Sequence, residues 1–212
     1  MRDAPLTSSP SPPVLPPFPL RRKLREDALG EVWVVEGPEG LLILKRARSP
    51  GARLKLREEA ELLRRLQHPC LVRYHSADPG GWWLVTESVR GAASHRWAAG
   101  QSLPARIAML ARLVDAVCYL HQTGVVHGDI RPINVRVGDD GIPRFVSLGR
   151  SGDPCFSGSP GYTAPEVLLG GPCSAASDVY ALGATAYRLL TGQSVFQTAE
   201  PEALVQRPLH SL

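Results

Sequence analysis

The spacing of apolar and polar positions changes character near the middle of this chain. Glu31-Val32-Trp33-Val34-Val35 and Leu41-Leu42-Ile43-Leu44-Lys45 are short aliphatic and aromatic runs joined by Gly37-Pro38-Glu39-Gly40, a pattern that predicts a hairpin. From Arg53 to Leu66 the period lengthens: Leu56, Ala60 and Leu63, with Leu62 and Leu66, recur at steps of three and four, as on one side of a helix. Glu59 falls on that apolar side, three residues before Leu62 and four before Leu63, so a carboxylate points at the core and requires a cationic partner. Trp82-Trp83-Leu84-Val85-Thr86 predicts a buried strand. A long helix is predicted from Leu103 to His121, started by Ser102 and Pro104, with Ile107, Leu110, Val114 and Val117 as its apolar stripe. Short strands and loops follow over 125–163, then a helix from Asp178 to Leu190 with Ser177 as its cap and Thr191-Gly192 as its end. A strand-rich first part and a helical second part predict an α+β chain with two lobes.

Composition narrows the function classes. The chain has 212 residues, 43% of them hydrophobic and 21% charged, enough for a substantial core. Its net charge of +4 suits an anionic ligand, but the 24 basic residues are dispersed, which argues against a nucleic-acid partner. Cys70, Cys118, Cys155 and Cys173 form no CxxC and lie near no histidine pair at zinc spacing, so they read as reduced thiols. No run approaches the roughly 18 apolar residues of a membrane span, and the opening segment has too much proline for a signal peptide, so the expectation is a cytoplasmic protein without membrane contact. Residues 1–20, dense in Pro and Ser, predict an extended or disordered leader.

The chemistry concentrates in Val125-Val126-His127-Gly128-Asp129-Ile130-Arg131-Pro132-Ile133-Asn134-Val135, which resembles the catalytic loop H-R-D-x-x-x-x-N of protein kinases, with Asp129 and Asn134 at the required step. Further motifs of that family follow in order. Lys45 ends a strand like the lysine of V-A-I-K, and Glu59 is its expected helical partner. Thr86, Glu87, Ser88 and Val89 look like the gatekeeper and hinge. Gly158-Ser159-Pro160-Gly161-Tyr162-Thr163-Ala164-Pro165-Glu166 resembles the stretch ending in A-P-E, and Asp178 resembles the buried aspartate that holds the catalytic loop. Across residues 25–192 the chain therefore resembles the eukaryotic-type serine/threonine protein kinases.

That resemblance implies a two-lobed protein-kinase fold: an antiparallel-sheet N-lobe with one helix over 21–90, and a mainly helical, shortened C-lobe over 91–212. It implies Asp129 as acceptor of a substrate hydroxyl proton, with Lys45 and Arg131 on the phosphates. Gly30, Val32, Glu59, Glu87, Val89 and Asn134 would complete the ATP site, with Asn134 a ligand to Mg2+. The chain departs from the family at three places. Ser147 stands where D-F-G has its aspartate, thirteen residues after Asn134, and the first two glycines of the glycine-rich loop fall on Arg25 and Asp27, leaving Gly30 as the third. Gly128 replaces the arginine of H-R-D, and Arg131 replaces a lysine. A hydroxyl is a poor substitute for a magnesium carboxylate, and Asp27 opposes phosphate, although Arg25, Arg22 and Lys23 could pair with it.

The expectation is a pseudokinase or weakly active kinase acting as a binding or regulatory module, with nucleotide held weakly and little dependence on Mg2+. The alternative is an active atypical kinase that transfers the γ-phosphate of ATP to protein hydroxyls. Twenty residues follow Gly192, which predicts a shortened C-lobe, Glu166 with only Arg207 downstream, and an uncovered face at Val179, Leu182, Leu189 and Leu190 for a protein partner or self-association.

Overall fold

The computed structural model describes residues 16–27, 30–148 and 160–196. Strands β1 (Leu20–Asp27), β2 (Gly30–Gly37) and β3 (Gly40–Ala47) form a meander joined to β5 (Trp83–Glu87) and β4 (Tyr74–Ala77) in the order β1-β2-β3-β5-β4. All neighbours in this five-stranded sheet are antiparallel. The predicted hairpin closes where Gly37 faces Gly40. Alternate residues bury one side: Val35, Leu44 and Val85 are inaccessible and pack with Trp83. The same register sets Lys45 opposite Val32 and Leu84.

Helix α1 (Pro50–Arg65) begins three residues before its predicted start, because Ser49 caps it by accepting from Ala52 N at 3.2 Å and Pro50 occupies the first turn. Its buried side carries Ala52, Leu56, Glu59, Ala60 and Leu63, as the periodicity predicts. The second lobe contains β6 (Gly91–Ala93), α2 (Ser94–Ala99), α3 (Leu103–Gln122), a 3-10 turn over Pro132–Asn134, β7 (Val135–Gly138), β8 (Pro143–Phe145), α4 (Pro165–Leu168) and α5 (Ala175–Thr191). Strands β6, β7 and β8 make a second, three-stranded antiparallel sheet. One continuous core joins the lobes: Leu56 and Leu63 of α1 belong to the same cluster as Leu113, Val117 and Leu120 of α3, Val135 and Phe145. No helix among the described residues is long and apolar enough to cross a membrane.

Several expectations require correction. The buried side of α3 is Met109, Leu113, Ala116, Val117 and Leu120, whereas Ile107 and Val114 are 53% and 46% exposed. Apolar residues occur on more than one side of this helix, so the stripe was ambiguous and packing chose the other phase. Helix α5 starts at Ala175, because Ser174 is the cap and Ser177 completes a reciprocal capping box, and Gly192 ends it at φ 76°. Leu189 is not part of an open face: it is 1% exposed, packed with Ala98, Met109 and Val137, while Val179 is 62% exposed. Cys173 is disulfide-bonded, against the reading of four reduced thiols; Cys70 and Cys118 are free. Residues 1–15 of the leader, Cys155, Gly158-Ser159 and Arg207 lie outside the described residues.

Candidate active site

A cleft of about 1300 Å³ opens between the five-stranded sheet and the loop before β7. Lys45 reaches it from the middle of the sheet and Glu59 from the buried side of α1. Lys45 Nζ donates to Glu59 Oε1 at 2.6 Å and to the Val146 carbonyl at 3.0 Å. The same Glu59 oxygen accepts from Leu148 N at 2.9 Å. A carboxylate 6% exposed is therefore neutralised by an ammonium and tied to the segment that carries Ser147. The cation that the sequence required for Glu59 is Lys45.

The loop 127–134 is held from beneath. Asp178, 1% exposed in the first turn of α5, accepts from His127 N at 2.7 Å and Gly128 N at 2.8 Å, while His121 Nε2 donates to it at 2.9 Å. His127 accepts the Asp129 amide on Nδ1 at 3.2 Å and packs edge-on to Phe145, with ring centroids 4.6 Å apart. Its burial pushes the imidazole pKa down, partly opposed by the charges of Asp178, Asp129 and Glu59. Asn134, at the end of the 3-10 turn, donates through Nδ2 to Asp129 Oδ2 at 2.6 Å and to the Asp129 carbonyl at 3.0 Å. Arg131 Nε lies 3.1 Å from Asp129 Oδ1. The Asp129 carboxylate is thus fixed by the Asn134 amide on Oδ2 and by the Arg131 guanidinium, which lies against Oδ1 through Nε and donates to Oδ2 through Nη2 at 3.4 Å.

The hinge follows β5. Thr86 is 2% exposed, and Glu87 turns its side chain to Arg73 Nε at 3.0 Å and Arg144 Nε at 3.5 Å. Glu87 and Val89 line the cleft together with Gly30, Val32, Lys45, Glu59, Asp129, Arg131, Asn134 and Ser147. Every residue named for the expected nucleotide and catalytic site therefore borders one cavity. Of the basic residues expected near phosphate, Arg22 and Arg25 line it and Lys23 does not. Lys23 instead donates to Glu31 at 2.9 Å and Glu26 at 2.7 Å. Glu31 is 5% exposed, and the Lys23 hydrogen bond, helped by Trp33 and Arg46 and opposed by burial, holds its pKa at about 2. Burying Glu31 demanded a cation, and that contact took Lys23 from the cleft.

Magnesium fits this donor set poorly. Among the described residues no three His, Cys, Asp or Glu side chains converge as metal ligands. Asp129 is ion-paired to Arg131, and Ser147, which lines the same cleft, offers a neutral hydroxyl. A small, hard dication favours charged oxygens in an octahedral set, which this grouping does not offer. Arg136, which also lines the cleft, was missed in the sequence; a lone arginine between Val135 and Val137 reads there as ordinary strand alternation.

Comparison with known proteins shows the family. The protein kinase domain family matches residues 42–211. The chain is 28% identical to the serine/threonine-protein kinase PknF of Mycobacterium tuberculosis over 91% of its own length and 46% of that protein's. It is 31% identical to calcium/calmodulin-dependent protein kinase type 1B of Rattus norvegicus, over 89% of this chain and 61% of the relative. With the serine/threonine-protein kinase PkaA of Streptomyces coelicolor the identity is 33%, over 83% and 36%. The chain thus spans about half the length of the curated relatives it matches. A two-lobed α+β fold, a cleft bordered by the lysine, glutamate, aspartate and asparagine of the kinase motifs, and a family match over most of its length make this chain a member of the protein kinase family.

Proposed function

We propose that this kinase domain is a nucleotide-binding regulatory module whose hold on ATP depends little on Mg2+, with phosphoryl transfer slow or absent. One observation supports the reading: Ser147, which by motif spacing takes the place of the D-F-G aspartate, lines the cleft with a neutral hydroxyl. Phosphoryl transfer depends on neutralising charge that spreads over the transferred group, so losing a charged metal ligand affects both binding and rate. The cations that remain suit phosphate without a metal. Lys45 holds a Glu59-oriented ammonium in the cleft, and Arg131, paired with Asp129, lines the same cleft. Lys45, Arg131 and Asp129 take the phosphate and acceptor roles, and Gly30, Val32, Glu87 and Val89 frame the base. The lobes divide at 21–90 and 91–212.

The experiment is a thermal shift with ATP, with and without Mg2+, followed by a phosphotransfer assay on generic protein substrates. Stabilisation by ATP alone that changes little on adding the metal is expected. At 100 times the dissociation constant a ligand adds about 2.7 kcal/mol, so a shift of that size seen only with Mg2+ would overturn the reading. Ser147→Asp should make the shift metal-dependent and raise any transfer rate.

A second reading is favoured by the Lys45–Glu59 pair, which is formed at 2.6 Å as an active arrangement requires. On that reading the domain is an atypical serine/threonine kinase acting on protein hydroxyls. Transfer that disappears in both Asp129→Asn and Lys45→Ala supports it. Partner binding or self-association is assigned to the outer side of α5, where Val179 and Tyr187 are 62% and 42% exposed; light scattering on the purified chain tests for a dimer.

A further inference from the structure

One charged side chain at the hinge end of the cleft is used by none of the kinase motifs. Arg136 sits in β7 between Val135 and Val137, which are 0% and 1% exposed, and it lines the cleft. Its Nε donates to the Val89 carbonyl at 3.2 Å, and its Nη2 donates to the Gly91 carbonyl. Both acceptors lie on the connector that runs from β5 into the second lobe. The backbone fastens the same connector, since Asp139 N donates to the Arg90 carbonyl at 2.9 Å and Gly91 faces Gly138 in the β6–β7 ladder. At Gly91 (φ 140°) an added Cβ would fall 1.9 Å from the Val137 carbonyl oxygen, so only glycine permits this approach.

A half-buried guanidinium costs desolvation that an aliphatic side chain would avoid, and the two carbonyl acceptors offset that cost. We propose that Arg136 is a positioning residue that latches the connector to the second sheet and so fixes the base end of the cleft. The proposal rests on the nucleotide reading above. With Nε and Nη2 taken by the connector, the guanidinium has its flat face and its remaining N–H groups to offer a ligand. A guanidinium face stacks on an aromatic ring. Arg136 therefore acts on the nucleobase half of a ligand, while Lys45 acts on the phosphate half.

Two measurements on the full chain separate the latch from the nucleotide reading. The first is calorimetric binding of adenosine and, separately, of inorganic tripolyphosphate. The second is amide hydrogen exchange over residues 89–93. Arg136→Leu should weaken adenosine about tenfold, a cost of about 1.4 kcal/mol, and leave tripolyphosphate within about twofold. It should also speed exchange across the connector. Arg136→Lys keeps the charge without the planar fork and should recover less than half of the adenosine loss. Adenosine binding that is unchanged or tighter in Arg136→Leu, or exchange that stays as slow as in the wild type, overturns the latch. If the wild type binds neither ligand while exchange still speeds up in the variant, the nucleotide reading fails and the latch stands. Should Arg136→Leu fail to fold, Arg136→Lys decides, because wild-type adenosine affinity in that variant overturns the proposal.

Discussion

The loop 127–134 and the β1–β2 end face each other across one cleft, yet they are secured in opposite ways. The loop rests on Asp178, which accepts two backbone amides and a histidine while 1% exposed. The β1–β2 end has Arg25 paired with Asp27 at 3.1 Å, with side chains 56% and 40% exposed, and Gly30 N donating to Asp27 at 3.2 Å. Buried hydrogen bonds to a charge are costly to lose, whereas exposed ion pairs contribute little. Two departures from the kinase pattern, Arg25 and Asp27, lie at the loosely held end, whereas Gly128 and Arg131 lie in the anchored loop, where they leave the Asp178 and Asn134 hydrogen bonds in place. His127, Asp129, Asn134 and Asp178 are mutually bonded in the lower lobe, and the glycines replaced by Arg25 and Asp27 lay where the fold demands least.

The sharpest way to break this comparison is Asp178→Ala. It leaves the amides of His127 and Gly128 without their acceptor in a buried place, a loss of about 3–5 kcal/mol. For a chain of this size the midpoint of thermal unfolding should fall by roughly 10 °C or more. Arg25→Ala should barely move it. Equal, small shifts for the two variants would mean that the loop is not anchored through Asp178.

Next in size is Lys45→Ala. It removes the proposed phosphate ligand and leaves Glu59, among the described residues, with the Leu148 amide, so tripolyphosphate affinity should fall at least tenfold, or about 1.4 kcal/mol. Thermal stability should fall as well, because Glu59 loses its ammonium. Affinity retained in this variant would move the phosphate site to the Arg22 and Arg25 side of the cleft.

Much of the cleft's architecture was legible in the sequence, and the reason is geometric. Glu59 on an apolar helical side requires a cation, and Lys45, expected to end a strand and found within β3, supplies one; the step from Asp129 to Asn134 is short enough for a single loop to fix both. What stayed hidden depends on contacts between distant segments. The phase of α3 was set by which side met α5 and the second sheet, and Lys23 was claimed by Glu31, which no local pattern shows to be buried. The Val146 carbonyl that receives Lys45, 101 residues away, has no side-chain signature at all. Arg136 was overlooked for a similar reason, since its partners are carbonyls of a connector.

A smaller effect follows from His127. Burial lowers its folded-state pKa below the ordinary 6.5, so below that pH the unfolded chain binds a proton that the folded chain refuses. Its contribution is fully present above pH 6.5 and is lost as pH falls from there toward the folded pKa, by up to about 1.4 kcal/mol per pH unit. Denaturant unfolding between pH 7 and 5.5 should show that slope. His127→Asn, which keeps an acceptor for the Asp129 amide, should flatten it. Identical slopes in the two proteins would assign the acid sensitivity to other groups.

The smallest expected effect lies at the roof and is the most telling for function. Asp27→Asn keeps an oxygen for the Gly30 amide and removes one negative charge from the cleft wall, so stability should hardly change. A carboxylate near the phosphates repels them, but at an exposed site with high effective dielectric the repulsion is modest, so ATP affinity should rise only about two- to threefold. Because the interaction is screened, the gain should fade in about 1 M salt, where the Debye length is about 3 Å. A gain of the same size at low and high salt would instead mean that the asparagine acts through a local hydrogen bond. No gain at low salt would place the phosphates away from the β1–β2 end, leaving Lys45 and Arg131 to hold them from the far side of the cleft.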